Sequence, residues 1–240
     1  MIATAAGETI TLAGPPGKAT GIVRLEYAER VVPIALTLAG GVAVFTAHVR
    51  PFAGPAIELR LRLPREMPPG VYEGEASFGG RMRGVVVRVE PAPQVRIQPK
   101  RTTIPAEPGA HAEFRVLIAN AGNVPVDVPK ADTFDLDDAE GQDRALGAAL
   151  RATLRPDERR VDRFFEEIRE RHGGQARISV QAGAGAIEPG AARDVTCMIA
   201  VPDTVQAGRS YIGAWQLANA AHIVIVEVKP ALAIKGRALT

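Results

Sequence analysis

The chain has 240 residues, of which 46% are hydrophobic and 5% aromatic, and its formal net charge is +2 at pH 7. This length suits one large domain or two of about 120 residues, and the hydrophobic content excludes a disordered chain. No run approaches the roughly 18 apolar residues of a membrane span. The N-terminal stretch lacks a basic region followed by an apolar one, so no signal peptide is predicted. We expect a periplasmic, cell-surface or secreted protein if a signal peptide was removed, and a cytoplasmic one otherwise.

The charged residues and the cysteine count also limit function. The positive charge is mostly arginine, a bias typical of a GC-rich genome, so no nucleic-acid partner is predicted. The single cysteine, Cys197, excludes an intrachain disulfide. It lies in the alternating run Val195–Val201, which predicts a buried strand cysteine rather than a reactive thiol.

Short segments along the chain alternate between apolar and polar residues, the pattern of half-buried strands. The segments are Glu8–Leu12, Val23–Tyr27, Ile34–Leu38, Val42–Thr46, Ile57–Leu63, Val95–Ile97, Phe114–Ile118, Val124–Val128 and Ile178–Val180. Glycine and proline separate many of them, as in the Gly40-Gly41 hairpin turn. The pattern predicts an all-β fold.

Two stretches of the chain share one pattern, which predicts a repeated unit. Leu63–Pro91 and Val201–Pro230 are both predicted to be closing hairpins. The matching residues keep a constant offset: Tyr72 with Tyr211, Gly74 with Gly213, Val85 with Val224, Val87 with Val226 and Val89 with Val228. Pro91-Ala92-Pro93 stops one sheet and forms a stiff connector, which predicts domains at 1–91 and 94–240.

The second unit is about 47 residues longer than the first, which predicts an insertion at about 131–175. There the apolar period changes from that of a strand to that of a helix. Apolar residues at helical spacing predict a helix over Pro156–His172, and Leu146, Leu150 and Leu154 indicate a weaker one over Glu140–Leu154.

Two units of this length with about seven short strands each predict immunoglobulin-like β-sandwiches. The chain also contains four short motifs rich in proline, glycine and asparagine, namely Pro108-Gly109, Asn120–Pro125, Val201-Pro202 and Ala207–Gly213. In this order they resemble bacterial immunoglobulin-like modules of the NEW3, CARDB and DUF11 type, found in secreted and surface proteins. That resemblance implies a spacer, adhesion unit or accessory binding domain. The stretch Val95–Val128 also resembles the first domain of periplasmic pilus chaperones. The fold class predicted is therefore two tandem immunoglobulin-like β-sandwich domains, the second with a helical insertion.

No residue pattern indicates catalysis. The four histidines lack ligand spacing with one another or with cysteine, the three serines lack a Gly-x-Ser-x-Gly context, and the glycines lie in turns rather than in a phosphate loop. We therefore predict no enzyme and no cofactor.

An acidic run is the best candidate for a metal site. Asp135, Asp137, Asp138 and Glu140 supply the oxygen ligands that calcium requires. The run lacks the glycine of an EF-hand loop, and a solvated linker into the helical insertion is the alternative.

Three aromatic residues have two interpretations each. Tyr72 and Tyr211 resemble the tyrosine corner of Greek-key sandwiches, with ligand binding as the alternative. Trp215, the only tryptophan, is either packed in the core or a surface platform for sugars.

The predicted helix in the insertion supplies the candidate partner-binding residues. Its apolar stripe contains Phe164 and Phe165, and Arg160, Arg163 and Glu167 lie on the opposite face. The helix either covers its own sandwich or docks on another protein or a second copy of the chain. We therefore expect a structural or protein-interaction module of a bacterial envelope or extracellular assembly. The alternatives are an accessory carbohydrate-binding module, with a glycan partner, and a pilus-chaperone-like protein.

Overall fold

A computed structural model describes most of the chain. The described residues are 2–3, 9–24, 30–53, 56–155 and 157–229. Part of the strand predicted over Val23–Tyr27 lies outside them, as does Pro156, the predicted start of the second helix.

The first sheet is built from eight strands of the N-terminal part of the chain. They are β1 (Ile2–Ala3), β2 (Ile10–Gly14), β3 (Ala19–Arg24), β4 (Val31–Leu38), β5 (Gly41–Pro51), β6 (Ala56–Leu61), β7 (Gly70–Phe78) and β8 (Arg81–Val89). Their order is β1-β3-β2-β8-β7-β4-β5-β6, and β3 also pairs with β6. The antiparallel register of that pair runs from Ala19 opposite Leu61 to Arg24 opposite Ala56. The sheet therefore closes on itself around its apolar inner face, a closure that the alternation pattern does not predict.

The second sheet also has eight strands, and the same part of the chain forms a separate two-stranded sheet. The eight are β9 (Val95–Gln98), β10 (Arg101–Ala106), β11 (His111–Asn120), β13 (Ala131–Asp138), β14 (His172–Ala182), β16 (Ala192–Ala200), β17 (Ser210–Leu217) and β18 (Ala220–Val228). Their order is β10-β18-β17-β13-β14-β16-β11-β9. The two-stranded sheet pairs β12 (Val126–Val128) with β15 (Gly185–Ile187). The prediction of an all-β fold is confirmed.

Two helices connect β13 to β14. They are α1 (Gly141–Arg151) and α2 (Arg160–Arg171). Both predicted helices are present, each shorter than predicted. Residues 131–138, which the sequence places in the insertion, form β13 and pair with β14 and β17.

Contacts between residues divide the chain into two compact units. The first contains Met1–Gln94, Asn120–Val126 and Glu188–Ala191, and the second contains the remainder. The core of the first unit consists of inward-facing aliphatic side chains such as Leu12, Ile34 and Leu59, all fully buried. The boundaries 1–91 and 94–240 stay a prediction.

The two closing hairpins have the same strand register, as the repeat requires. In β7–β8, Tyr72 lies opposite Val87 and Gly74 opposite Val85. In β17–β18, Tyr211 lies opposite Val226 and Gly213 opposite Val224. The residues that match in sequence therefore occupy matching positions in their hairpins.

Both hairpin tyrosines are tied to the backbone just before their own strand. The Tyr72 hydroxyl donates to the carbonyl of Pro68 at 2.7 Å, and the Tyr211 hydroxyl accepts from the N–H of Gln206 at 3.0 Å. This is the hydrogen bond that defines a tyrosine corner. The structural interpretation of both tyrosines is confirmed.

The glycine two residues after each tyrosine lies against a neighbouring strand. A Cβ atom at Gly74 would collide with the carbonyl oxygen of Ala35. A Cβ atom at Gly213 would overlap the ring of Phe134 and lie 2.7 Å from the carbonyl oxygen of Asp135. Glycine is therefore required at both positions by close approach of the backbones.

Candidate functional site

The acidic run is not a solvated linker: Asp135, Asp137 and Asp138 belong to β13, and Glu140 directly precedes α1. Asp135 and Asp137 point to the exposed side of β13, whereas Asp138 points to the buried side. Successive side chains of a strand face opposite sides of the sheet, so the carboxylate of Asp138 faces away from those of Asp135 and Asp137. Among the described residues no group of three or more His, Cys, Asp or Glu side chains could hold a metal ion.

The carboxylate of Asp138 already has partners. One of its oxygens accepts the backbone N–H of Glu140 at 3.0 Å, and the other lies 3.2 Å from Arg209 and 3.9 Å from Arg144. Asp137 lies 3.0 Å from the ring of His172. These contacts fix the start of α1 on β13, which is a structural role.

Trp215 is fully buried, so it cannot serve as a surface platform for sugars. It lies on β17 directly opposite His222 of β18, and both side chains are completely inaccessible to solvent. The His222 ring stacks on Phe114 with a centroid distance of 5.5 Å. The glycan hypothesis therefore loses the residue that motivated it, and core packing is confirmed for this tryptophan.

Cys197 and His222 are titratable groups that are completely buried. Burial raises the pKa of the Cys197 thiol to about 12, so at neutral pH it carries no nucleophilic thiolate. Burial lowers the pKa of His222, although a hydrogen bond to the carbonyl of Pro99 opposes this shift. That carbonyl can only accept, so Nδ1 of the neutral ring carries the proton. The prediction of a buried strand cysteine is confirmed.

The two helices form a hairpin whose ends are joined by one arginine. The Arg160 guanidinium, on the first residue of α2, donates to the carbonyls of Ala149 at 2.8 Å and Leu150 at 2.7 Å. These belong to the last turn of α1, where carbonyls lack helical partners. The contact places a positive charge at the negative end of the α1 dipole. Arg160 thus makes hydrogen bonds within the hairpin while the residue itself is exposed.

The charged residues of α2 also contact each other. Glu167 is buried, and its carboxylate accepts hydrogen bonds from Arg163 at 2.6 Å and Arg171 at 2.9 Å. The hydrogen bond from Arg171, helped by the charge of Arg163, holds the pKa of Glu167 below its usual value. Arg160, Arg163 and Glu167 therefore make contacts within the hairpin, and Glu167 is buried. That these residues bind a partner stays a prediction.

Several apolar side chains of the helical hairpin, in contrast to the buried Glu167, are exposed to solvent. Phe165 is 59% exposed, whereas its neighbour Phe164 is partly buried and contacts it edge-on at 5.6 Å. Exposed apolar pairs one turn apart occur on both helices: Leu146 with Leu150 on α1, and Val161 with Phe165 on α2. We call these four residues the hairpin apolar pairs. They are the candidate docking residues, and sequence analysis named only Phe165 among them as partner-binding.

α1 exposes its leucines because it buries its alanines instead. Ala145 and Ala149 are buried, as is Gly141 one turn earlier, whereas Leu146 and Leu150 are exposed. Residues four apart share a helix face, so both sets form a stripe of the same period. Periodicity alone therefore does not reveal which stripe is covered.

A second polar cluster lies in the Asn120–Pro125 motif, which the sequence analysis used only for the family resemblance. The amide of Asn123 is buried; it donates to the carbonyls of Met67 at 3.1 Å and Glu90 at 3.0 Å and accepts the N–H of Ala92 at 2.7 Å. Buried asparagine amides in glycine-containing turns hydrogen-bond to the backbone around them. The cluster is structural and holds Asn120–Val126 within the first unit.

Comparisons with known proteins do not identify a family. No protein-family model matches the sequence, and no curated protein matches it. Several solved structures resemble it at low identity. A PapD-like domain of human CEP192 has 12% identity and a TM-score of 0.30, covering 57% of this chain and 86% of that one. A 3Ig fragment of titin has 8% identity and a TM-score of 0.38, covering 92% and 63%. DIP-gamma IG1+IG2 has 10% identity and a TM-score of 0.33, covering 93% and 96%.

These likenesses are too weak to assign a family or an activity, so the all-β assignment rests on the strands of the chain itself. Neither α1 nor α2 has the length and apolarity that crossing a bilayer would require. The chain is therefore described as an all-β protein that carries a helical hairpin with exposed apolar pairs.

Proposed function

We propose that this protein is a non-enzymatic protein-interaction module, and that it docks on another protein or on a second copy of itself through the hairpin apolar pairs. The observation that supports the proposal is that charged side chains of α2 are engaged in ion pairs while apolar side chains of the same helix are exposed to solvent. Arg163, Glu167 and Arg171 are engaged with one another, whereas Val161 and Phe165 are exposed at 47% and 59%. Clustered exposed apolar side chains of this kind are typical of binding surfaces.

Energetics favour a partner at this surface. Burying a phenylalanine fully contributes about 1.5–3 kcal/mol, and more than half of the Phe165 side chain is still exposed. Aromatic side chains are also enriched among the residues that dominate interface energies. Phe165 is therefore the residue whose loss should weaken docking most.

We further propose that this interaction module belongs to a bacterial envelope or extracellular assembly. The resemblance of Asn120–Pro125 and Ala207–Gly213 to NEW3, CARDB and DUF11-type modules supports it. The proposed compartment is the periplasm, the cell surface or the medium. Cell fractionation with an antibody to the chain tests this, and recovery in the cytoplasmic fraction alone would contradict it.

The docking proposal is tested with Phe165→Asp. We expect the melting temperature to change little, because the side chain is mostly exposed, and the affinity for a partner or a second copy to fall roughly 30-fold, which corresponds to about 2 kcal/mol. Sedimentation velocity measures self-association, and binding of a purified partner is measured by interferometry. The matched control is Val42→Asp, an equally apolar residue that is 69% exposed outside the hairpin.

Phe164→Asp completes the design. This neighbouring phenylalanine is partly buried, so its replacement should lower the melting temperature where Phe165→Asp does not. If Phe165→Asp and Val42→Asp leave every association equal to that of the unmodified protein, the hairpin is not the docking surface. If Phe165→Asp unfolds the protein, the exposed pairs have a structural role instead.

A further inference from the structure

A concave basic surface on the first unit has no role in the fold or in docking through the hairpin. It is a groove of about 850 Å³ between the turn before β3 and strands β5 and β6. Cationic side chains and a histidine line it: Lys18, Arg30, His48, Arg50, Arg60 and Arg62. We call it the basic groove.

The strand register places these charges in rows. Arg60 lies on β6 and Arg62 follows directly after the end of that strand, whereas His48 and Arg50 are two residues apart on β5. Residues two apart on a strand share a face and are separated by about 6.8 Å. His48 lies directly opposite Arg60 across the two strands, and directly opposed side chains are about 5 Å apart.

The charge of the basic groove is only partly neutralised. No aspartate or glutamate is among the described residues that line it. Glu58, next to it on β6, pairs with Arg60 at 2.8 Å and lies directly opposite Arg50 across the two strands. Lys18, Arg50 and Arg62 are exposed and form no ion pair within the described part of the chain. Cations held together in this way repel each other, and a bound anion would remove that repulsion.

The geometry points to an extended acidic segment of a partner protein as the ligand of the basic groove, a conclusion that rests on the proposed interaction function. In an extended peptide, alternate side chains also repeat every 6.8 Å or so. Alternate carboxylates would therefore match the spacing of His48 and Arg50 on β5, with Arg60 of β6 opposite His48. Arginine binds carboxylates through two parallel hydrogen bonds, and arginines predominate among the cations here.

Two other recognition modes fit this surface less well. β5 is paired with β4 and β6, and β6 is paired with β5 and β3, so a peptide cannot add to either strand as a new edge strand. No phenylalanine, tyrosine or tryptophan is among the described residues that line the basic groove, so nucleic-acid bases lack a large aromatic stacking platform there. Side-chain recognition of carboxylates remains.

The experiment is fluorescence anisotropy with the full chain and a labelled peptide of alternating glutamate and serine. We expect saturable binding that weakens as salt is raised, because exposed charges are screened. The variant Arg50→Gln/Arg62→Gln should bind at least 10-fold more weakly. The control variant Arg81→Gln/Arg88→Gln removes two exposed arginines of β8 outside the basic groove and should bind like the unmodified protein.

Three results would overturn the inference. They are no binding of the peptide at millimolar concentration, equal loss in both double variants, and tighter binding of a single-stranded oligonucleotide of equal charge. Phe165→Asp separates this inference from the docking proposal. It should bind the acidic peptide normally, so loss of docking with retained peptide binding, or the reverse, shows which of the two proposals has failed.

Discussion

Replacing Asn123 by alanine tests the buried amide that holds Asn120–Val126 in the first unit. The side chain is 3% exposed and makes three hydrogen bonds, all to backbone groups. Alanine removes both the donors and the acceptor. The carbonyls of Met67 and Glu90 and the N–H of Ala92 are then left without this partner.

The size of the effect follows from these bonds. A typical hydrogen bond contributes about 0.5–1.5 kcal/mol net, and a buried group left unsatisfied costs about 1–3 kcal/mol. Three bonds, partly replaced by water entering the space left, give an expected loss of about 2–4 kcal/mol in the free energy of unfolding. This is a large part of the stability of an ordinary domain.

Two further variants separate the hydrogen bonds from the volume of the side chain. Asn123→Asp keeps the shape and the acceptor but turns an anionic oxygen toward the carbonyls of Met67 and Glu90. It should destabilise the protein at least as much as Asn123→Ala. Asn219→Ala is the matched control, because Asn219 is exposed and accepts one bond, from the N–H of Val95 at 2.9 Å. It should cost about 1 kcal/mol or less.

The assay is urea unfolding followed by two probes. Far-ultraviolet circular dichroism reports both units, and fluorescence of Trp215 reports the second, in which it is buried. The Asn123 variants should shift the circular dichroism transition toward lower urea and shift the fluorescence transition less. If Asn123→Asp is as stable as the unmodified protein, or if Asn219→Ala costs as much as Asn123→Ala, the assignment to hydrogen bonds is wrong.

Two other predictions follow from the core of the second unit and its hairpin. Because burial holds the pKa of His222 below its ordinary value of 6.5, the unfolded chain takes up this proton first. The contribution of His222 to stability is then fully present above pH 6.5 and is lost as pH falls toward the lowered folded value, so His222→Phe should flatten the fall in melting temperature over that range. Gly213→Ala should lower the free energy of unfolding by about 1–3 kcal/mol through overpacking against Phe134. Gly17→Ala is the control, because nothing lies within 4 Å of the added atom, and it should leave the free energy of unfolding unchanged. Equal effects of the two glycine changes would contradict the packing assignment, and an unaltered pH profile in His222→Phe would contradict the histidine assignment.

Much of the local structure could be predicted because it depends on residues close together in the chain. Alternation of apolar and polar residues places the strands, since each strand buries one face. The constant offset between Tyr72 and Tyr211 predicts two hairpins of equal register, and the register of β7–β8 and β17–β18 agrees. The apolar period places α2 within a few residues of its observed bounds.

The candidate site could be predicted only in part. The sequence indicates Phe165 on an amphipathic helix, but Glu167 was assigned to the exposed face and is buried between Arg163 and Arg171. The acidic run illustrates the same limit, because carboxylates that are neighbours in sequence face opposite ways once Asp135 and Asp138 belong to a strand.

The order of apolar and polar residues specifies the kind of element at each place and the stripe of residues that each element can present. Which stripe is covered and which charges meet depends on the packing of elements that are distant in the chain. On α1 the small side chains of Ala145 and Ala149 are covered, which leaves Leu146 and Leu150 in solvent. The physical reason is that periodicity describes one element alone, whereas burial, ion pairing and the rows of the basic groove depend on the strands and helices that long-range pairing brings alongside it.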